Sequence, residues 1–171
     1  MVTRPDEGQT SGPGRFAPAR LLLALLLAAP SVAAAQPPAA AVTIPIPDEA
    51  GAARLVWSTM AALDHANKTG NYSVLRALGS AAFQASNSEV ALSGIFVPLR
   101  QQRLDLTGTL GTPPSYDFPP RLEGGLLRVR GAFRTRPQAV QFDLLFQWNQ
   151  GWVLQGIAVS PVPFPSLPRP R

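Results

Sequence analysis

The sequence predicts an α+β domain in which three helices precede a curled antiparallel sheet of about four strands. Two observations carry this. Apolar residues recur at helical spacing up to Leu104 and at every second position after it, and proline-rich segments bracket the patterned region on both sides. The bracketed stretch, 48–160, holds roughly 110 residues, enough for one core and too few for two. It contains no internal repeat.

The first helix spans 49–69. Asp48 and Glu49, following Pro47, complement the positive end of a helix, and Gly70 supplies a stop. Ala53, Val56, Trp57, Met60 and Leu63 fall on one stripe, the period of a buried face. His65 lands nearly opposite. Asp64 and Asn67 sit on the stripe or its edge, where a polar group is costly if buried unpaired.

Asn71 caps a second, short helix from Tyr72 to Leu78, which Gly79 ends before Ala81-Ala82-Phe83. Ser86-Asn87-Ser88-Glu89 has capping-box spacing and opens a third helix. In it Leu92, Ile95, Phe96 and Leu99 recur at i, i+3, i+4 and i+7. Pro98 removes a backbone donor, so a kink or break is expected between Gly94 and Pro98.

Leu127, Val129, Gly131 and Phe133 then alternate with Arg128, Arg130 and Arg134, and Val140, Phe142, Leu144, Phe146 and Trp148 alternate with a more polar set that includes Asp143. These read as two long, half-buried strands joined through Thr135–Gln138. Matching their apolar faces requires paired numbers with an odd sum, such as 133 with 140, which sets Arg130 opposite Asp143. Asn149-Gln150-Gly151 reads as a three-residue hairpin loop with Gly151 in the left-handed position, leading to a last strand from Trp152 to Val159. An earlier strand near Ser115–Leu122 is interrupted by Pro119 and Pro120 and so belongs at an edge.

Outside the domain, residues 1–35 read as an export signal. Arg4, Arg15 and Arg20 precede nine apolar residues, Leu21–Ala29, with Pro30 after them. A membrane span needs roughly 20 apolar residues and a signal core only about 7 to 15. Ala33-Ala34-Ala35 supplies the small side chains of a cleavage site, placing the cut between Ala35 and Gln36. An Ala/Pro linker, 36–47, precedes the domain, and 161–171 is a proline-rich tail. The mature chain is expected in the periplasm or secreted, with no membrane attachment, because no cysteine follows the cut to carry lipid. Removing the leader leaves 12 basic and 8 acidic residues, or +4 (15 minus 3, and 10 minus 2). That mild charge, in an exported protein, gives no reason to expect nucleic acid.

The chain resembles the nuclear transport factor 2-like, or SnoaL-like, superfamily. The residues that carry the resemblance are the first helix ending His65-Ala66-Asn67-Lys68-Thr69-Gly70-Asn71-Tyr72, the aromatic hairpin Phe142–Trp152 and the closing strand Trp152-Val153-Leu154-Gln155-Gly156-Ile157-Ala158-Val159. It covers about 49–160 and is one of order and pattern, without a catalytic motif. It implies a cystatin-like cone whose helices cover the concave face of the sheet and leave a pocket at the wide end. It also implies a homodimer through the convex face, where Leu145, Val153, Ile157 and Val159 would supply apolar surface.

Chemistry-bearing motifs are sparse. His65 is the only histidine, there is no cysteine, and the acids show no calcium-loop spacing, so neither a metal nor another cofactor is expected. Related pocket enzymes use a carboxylate base, for which Asp64 is the candidate with Asn67 or Tyr72 as donors; the alternative is an Asp64–Lys68 pair four residues apart. Trp57, Met60, Phe83, Phe142 and Phe146, with Asn67, are the candidate lining of a small apolar-ligand pocket or simply a filled core. Arg128, Arg130, Arg134 and Arg136 either grip an acidic partner or form a solvated strand face that Asp143 neutralises in part. Arg128, Arg130, Asp143, Leu145 and Ile157 are the candidate interface. The preferred reading is a noncatalytic exported binding or interaction module. The alternatives are a small isomerase- or cyclase-type enzyme and an accessory subunit of an envelope assembly.

Overall fold

The first helix, α1, runs from Glu49 to Thr69 because both ends are closed as the sequence requires. The Asp48 side chain accepts from the Gly51 N–H at 2.7 Å, and Gly70 stops the helix in the left-handed region with φ 77°. The computed structural model describes residues 44–164. The leader, the Ala35/Gln36 cleavage site and residues 36–43 of the linker lie outside them, as does the tail beyond Phe164.

Among the described residues five α-helices, all between residues 49 and 101, replace the three expected. After α1 come α2 (Ser73–Ala77), α3 (Ala81–Ser86), α4 (Glu89–Ile95) and α5 (Val97–Gln101). The additional helix, α3, forms because Ser80 caps it, its hydroxyl accepting from the Phe83 N–H. Ser88 rather than Ser86 caps α4, accepting from Ala91. The expected break falls at Phe96, with Pro98 in the first turn of α5, where its missing donor costs nothing.

A five-stranded antiparallel sheet follows: β1 (Ser115–Tyr116), β2 (Arg121–Glu123), β3 (Leu126–Phe133), β4 (Gln138–Trp148) and β5 (Trp152–Pro163). β1 and β2 share one flank of β3, split by Phe118-Pro119-Pro120. The order then runs β3-β4-β5. Phe133 pairs with Val140 and Arg130 with Asp143, the register that the alternating apolar positions dictate. At Gly131 a Cβ would lie 2.2 Å from the Ser115 carbonyl oxygen, so only glycine lets β1 approach.

Two features of the last hairpin depart from the sequence reading. The left-handed loop residue is Gln150, at φ 57°, and not Gly151. The register then slips between Leu145 and Phe146: Phe146 pairs with Leu154 but Leu145 with Gly156, leaving Gln155 as a bulge. Beyond it every side chain of β5 changes face. Ile157 and Val159 thus sit opposite Leu144 and Phe142 and pack against the core, while Gly156, Ala158 and Ser160 face outward. Burying two aliphatic side chains favours this slip over an unbroken ladder. β5 also runs past Val159 to Pro163, and as an edge strand it tolerates Pro161 and Pro163.

The helices cover one face of the sheet. The core joins Val56, Met60 and Leu63 of α1, Tyr72, Leu75, Phe83, Leu92, Phe96 and Leu99 from the segments that follow, and Leu127, Phe133, Phe142, Leu144, Phe146 and Leu154 of the sheet. Leu78 and Ser80 strap the free edge of β5: the Leu154 N–H donates to the Leu78 carbonyl at 2.9 Å, and the Ser80 N–H donates to that of Leu154 at 2.8 Å.

Candidate functional site

Asp64 is 5% exposed, and Lys68 Nζ donates to its Oδ2 at 2.7 Å. The same ammonium donates to Thr107 Oγ1 at 2.7 Å, tying the end of α1 to the following loop. The bond to Asp64 raises the Lys68 pKa, and the Thr107 N–H lowers that of Asp105 beside it. Asp64 is thus the buried half of a structural ion pair and lines neither of the two depressions described below.

Asn67 and Tyr72 are engaged with each other. The fully buried Tyr72 donates its Oη to Asn67 Oδ1 at 2.6 Å, accepts from Arg100 Nη1, and lies parallel to Phe96 with ring centroids 6.2 Å apart. Arg100 Nη2 also donates to Ser93. This network fixes α2 and α5 against the end of α1.

The residues expected to line an interior pocket are packed. Met60, Phe83, Phe142 and Phe146 are at most 4% exposed and belong to the core, and the Trp57 indole N–H donates to the Thr112 carbonyl at 3.0 Å. None of them lines either depression.

The first depression, of about 450 Å³, lies on the uncovered face of the sheet, lined by Glu123, Leu126, Arg128, Asp143, Leu145, Gly156, Ile157 and Ala158. Its floor is shallow because Gly156 and Ala158 present little or no side chain. A band of alternating charge crosses this face. Arg128 donates to Asp143 from Nε at 3.0 Å and Nη2 at 2.6 Å, and to Glu123 from Nη1 at 3.0 Å. Arg121 holds the other oxygen of Glu123, and Arg130 reaches Asp117 at 3.0 Å and Asp143 at 3.9 Å. The three arginines thus meet three carboxylates. Arg128 and Arg121 hold the Glu123 carboxyl below its ordinary pKa, and Asp143 raises that of Arg128. Arg136 lies outside this band, its guanidinium 4.4 Å above the Phe164 ring. Of the candidate interface residues, Arg128, Arg130, Asp143 and Leu145 share this face; Ile157 turns its side chain to the core across the bulge.

The second depression, of about 340 Å³, runs between α1 and α2 and is lined by Ser58, Ala61, Ala62, His65, Thr69, Asn71, Val74 and Leu78. Sequence reasoning placed His65 opposite the buried stripe and assigned it no binding role. The signal it passed over is that this α1 stripe carries Ser, Ala, Ala and His in place of long charged side chains.

Among the described residues, no three His, Asp or Glu side chains gather as a metal site requires, and no helix is long and apolar enough to cross a membrane. Comparison with protein-family models, with curated proteins and with solved structures finds no match to the chain.

Proposed function

We propose that the chain is an exported, noncatalytic interaction module that works through the uncovered face of its sheet, with a second copy of itself as the first partner. The observation that carries this is the contrast between the faces. The helix-covered face is filled by Met60, Phe83, Phe142 and Phe146, and the buried acid Asp64 is bonded to Lys68. The other face presents Leu126, Leu145, Gly156 and Ala158 beside a band whose arginines and carboxylates balance. A balanced band has little to offer a polyanion. A two-fold contact brings the same patch from both copies together, and alternating charge lets each arginine of one copy meet a carboxylate of the other. Helices on one side of an antiparallel sheet also support the nuclear transport factor 2-like, cystatin-like reading, in which this face would be the convex one. The leader supports a periplasmic or secreted location.

A photocrosslinking residue placed at exposed Ala158 tests the proposal. The expected product is a covalent dimer, and the same residue placed at exposed Ala85 of α3 gives none. Crosslinking to another protein with no dimer would replace the self-partner by that protein, and absence of any product at Ala158 would refute the face as an interface.

A further inference from the structure

The groove between α1 and α2 has a chemistry of its own, and none of its lining residues belongs to the sheet. Its volume of about 340 Å³ is in the range of small-molecule sites. From Ser58 to Thr69 it follows α1 for about 16 Å at the helical rise of about 1.5 Å per residue, which makes it elongated. The walls are apolar along most of that length. Ala61, Ala62 and Leu78 are partly or fully buried, and Val74 is 61% exposed, a large apolar side chain facing water beside them.

Apart from Ser58 at the opposite end, the polar groups gather where His65, Thr69 and Asn71 meet, and what they leave unused is donors. Thr69 Oγ1 donates to the His65 carbonyl at 2.7 Å and accepts from the Asn71 N–H at 3.2 Å. Asn71 Oδ1 accepts from the Ser73 N–H at 2.9 Å, so its carboxamide offers the groove N–H groups. The exposed His65 imidazole can present an N–H here. No carboxylate lines the groove, and Asp64, the neighbouring acid on α1, is bonded to Lys68.

We propose that this groove binds a linear amphiphilic carboxylate. Its tail lies along α1 against Ala61, Ala62, Val74 and Leu78, and its carboxylate accepts from Asn71 Nδ2 and the His65 imidazole. An elongated apolar trough selects a chain over a ring system, and a donor-rich end without an acid selects an anion over a cation.

The test titrates decanoate, decanol and decylamine, below their micellar concentrations, into the purified protein and follows backbone amide shifts. Decanoate is expected to bind saturably, with shifts centred on Ala61, Ala62 and Val74, and decanol and decylamine at least about tenfold more weakly. His65→Ala and Asn71→Ala each weaken decanoate about fivefold or more and leave decanol unchanged. Ala61→Trp, which fills the trough, removes binding with an unchanged melting temperature. Lack of saturable decanoate binding, equal binding of decylamine, or decanoate binding that survives Ala61→Trp would each overturn the proposal.

Discussion

Arg128 clamps Asp143 of the neighbouring strand with two parallel hydrogen bonds, although the residue directly opposite Asp143 in the ladder is Arg130. The diagonal pairing wins because it allows a fork of two bonds, at 3.0 and 2.6 Å, while Arg130 approaches the same carboxylate only to 3.9 Å and turns to Asp117. A double-mutant cycle in urea, using Arg128→Met and Asp143→Asn, should therefore give a larger coupling than one using Arg130→Met and Asp143→Asn. Both should shrink at high salt, since these side chains are partly exposed. Equal couplings would contradict the diagonal clamp.

The Asp64–Lys68 pair is asymmetric, with side-chain exposures of 8% and 55%, and this fixes the order of its single-mutant effects. Lys68→Met leaves a buried carboxylate without its partner, whereas Asp64→Asn leaves an ammonium that water can solvate. Lys68→Met should lower the denaturation midpoint more than Asp64→Asn. The reverse order would mean that Asp64 is solvated in the native state, as a pocket base would be.

Whether the interior is filled is read from truncation. With Met60 fully buried and Phe142 1% exposed, Phe142→Ala should cost about 3–5 kcal/mol and Met60→Ala about 2–5 kcal/mol in chemical denaturation. If these side chains instead lined an open pocket, truncation would cost well under 1 kcal/mol, since little cavity would be created.

Burial pushes the Tyr116 phenol up to about 12, with Glu49 adding to the effect. Because the folded-state value exceeds the ordinary value near 10, the native state holds this proton more tightly than the unfolded chain. Its contribution is complete below about pH 10 and is lost between about 10 and 12. The difference in ultraviolet titration between wild type and Tyr116→Phe should show a midpoint near 12. A midpoint near the ordinary tyrosine value would contradict the burial.

Much of this fold was legible where one face of an element is buried. The limits of α1 followed from Asp48 and Gly70, and the β3–β4 register followed from two alternating apolar sets that match only at an odd sum, together with the short Thr135–Gln138 connection. The break at Phe96 followed from Pro98. The bulge at Gln155 was not legible, because no local residue pattern marks it: it is set by the tertiary burial of Ile157 and Val159, and by Leu78 and Ser80 gripping Leu154 from far along the chain. The short α3 was hidden for a related reason, since a six-residue helix has too few turns to show a period. Of the candidate site, alternation placed Arg128 and Arg130 on the outer face and set Arg130 opposite Asp143, as observed, but the clamp from Arg128 was not legible, because side-chain reach and not backbone register decides a salt bridge. The α1–α2 groove went unseen because the position of α2 against α1 is a tertiary fact.

The claim that the sheet's uncovered face is an interface is tested most directly by sedimentation equilibrium of wild type and Leu145→Arg over a range of concentrations. Wild type should sediment at twice the chain mass and Leu145→Arg at a single chain mass, since the added charge cannot be buried without a partner. Val74→Arg, on the helical side, should remain at twice the chain mass. A wild type that sediments as one chain at every concentration, or a Leu145→Arg variant that keeps the doubled mass, would contradict it.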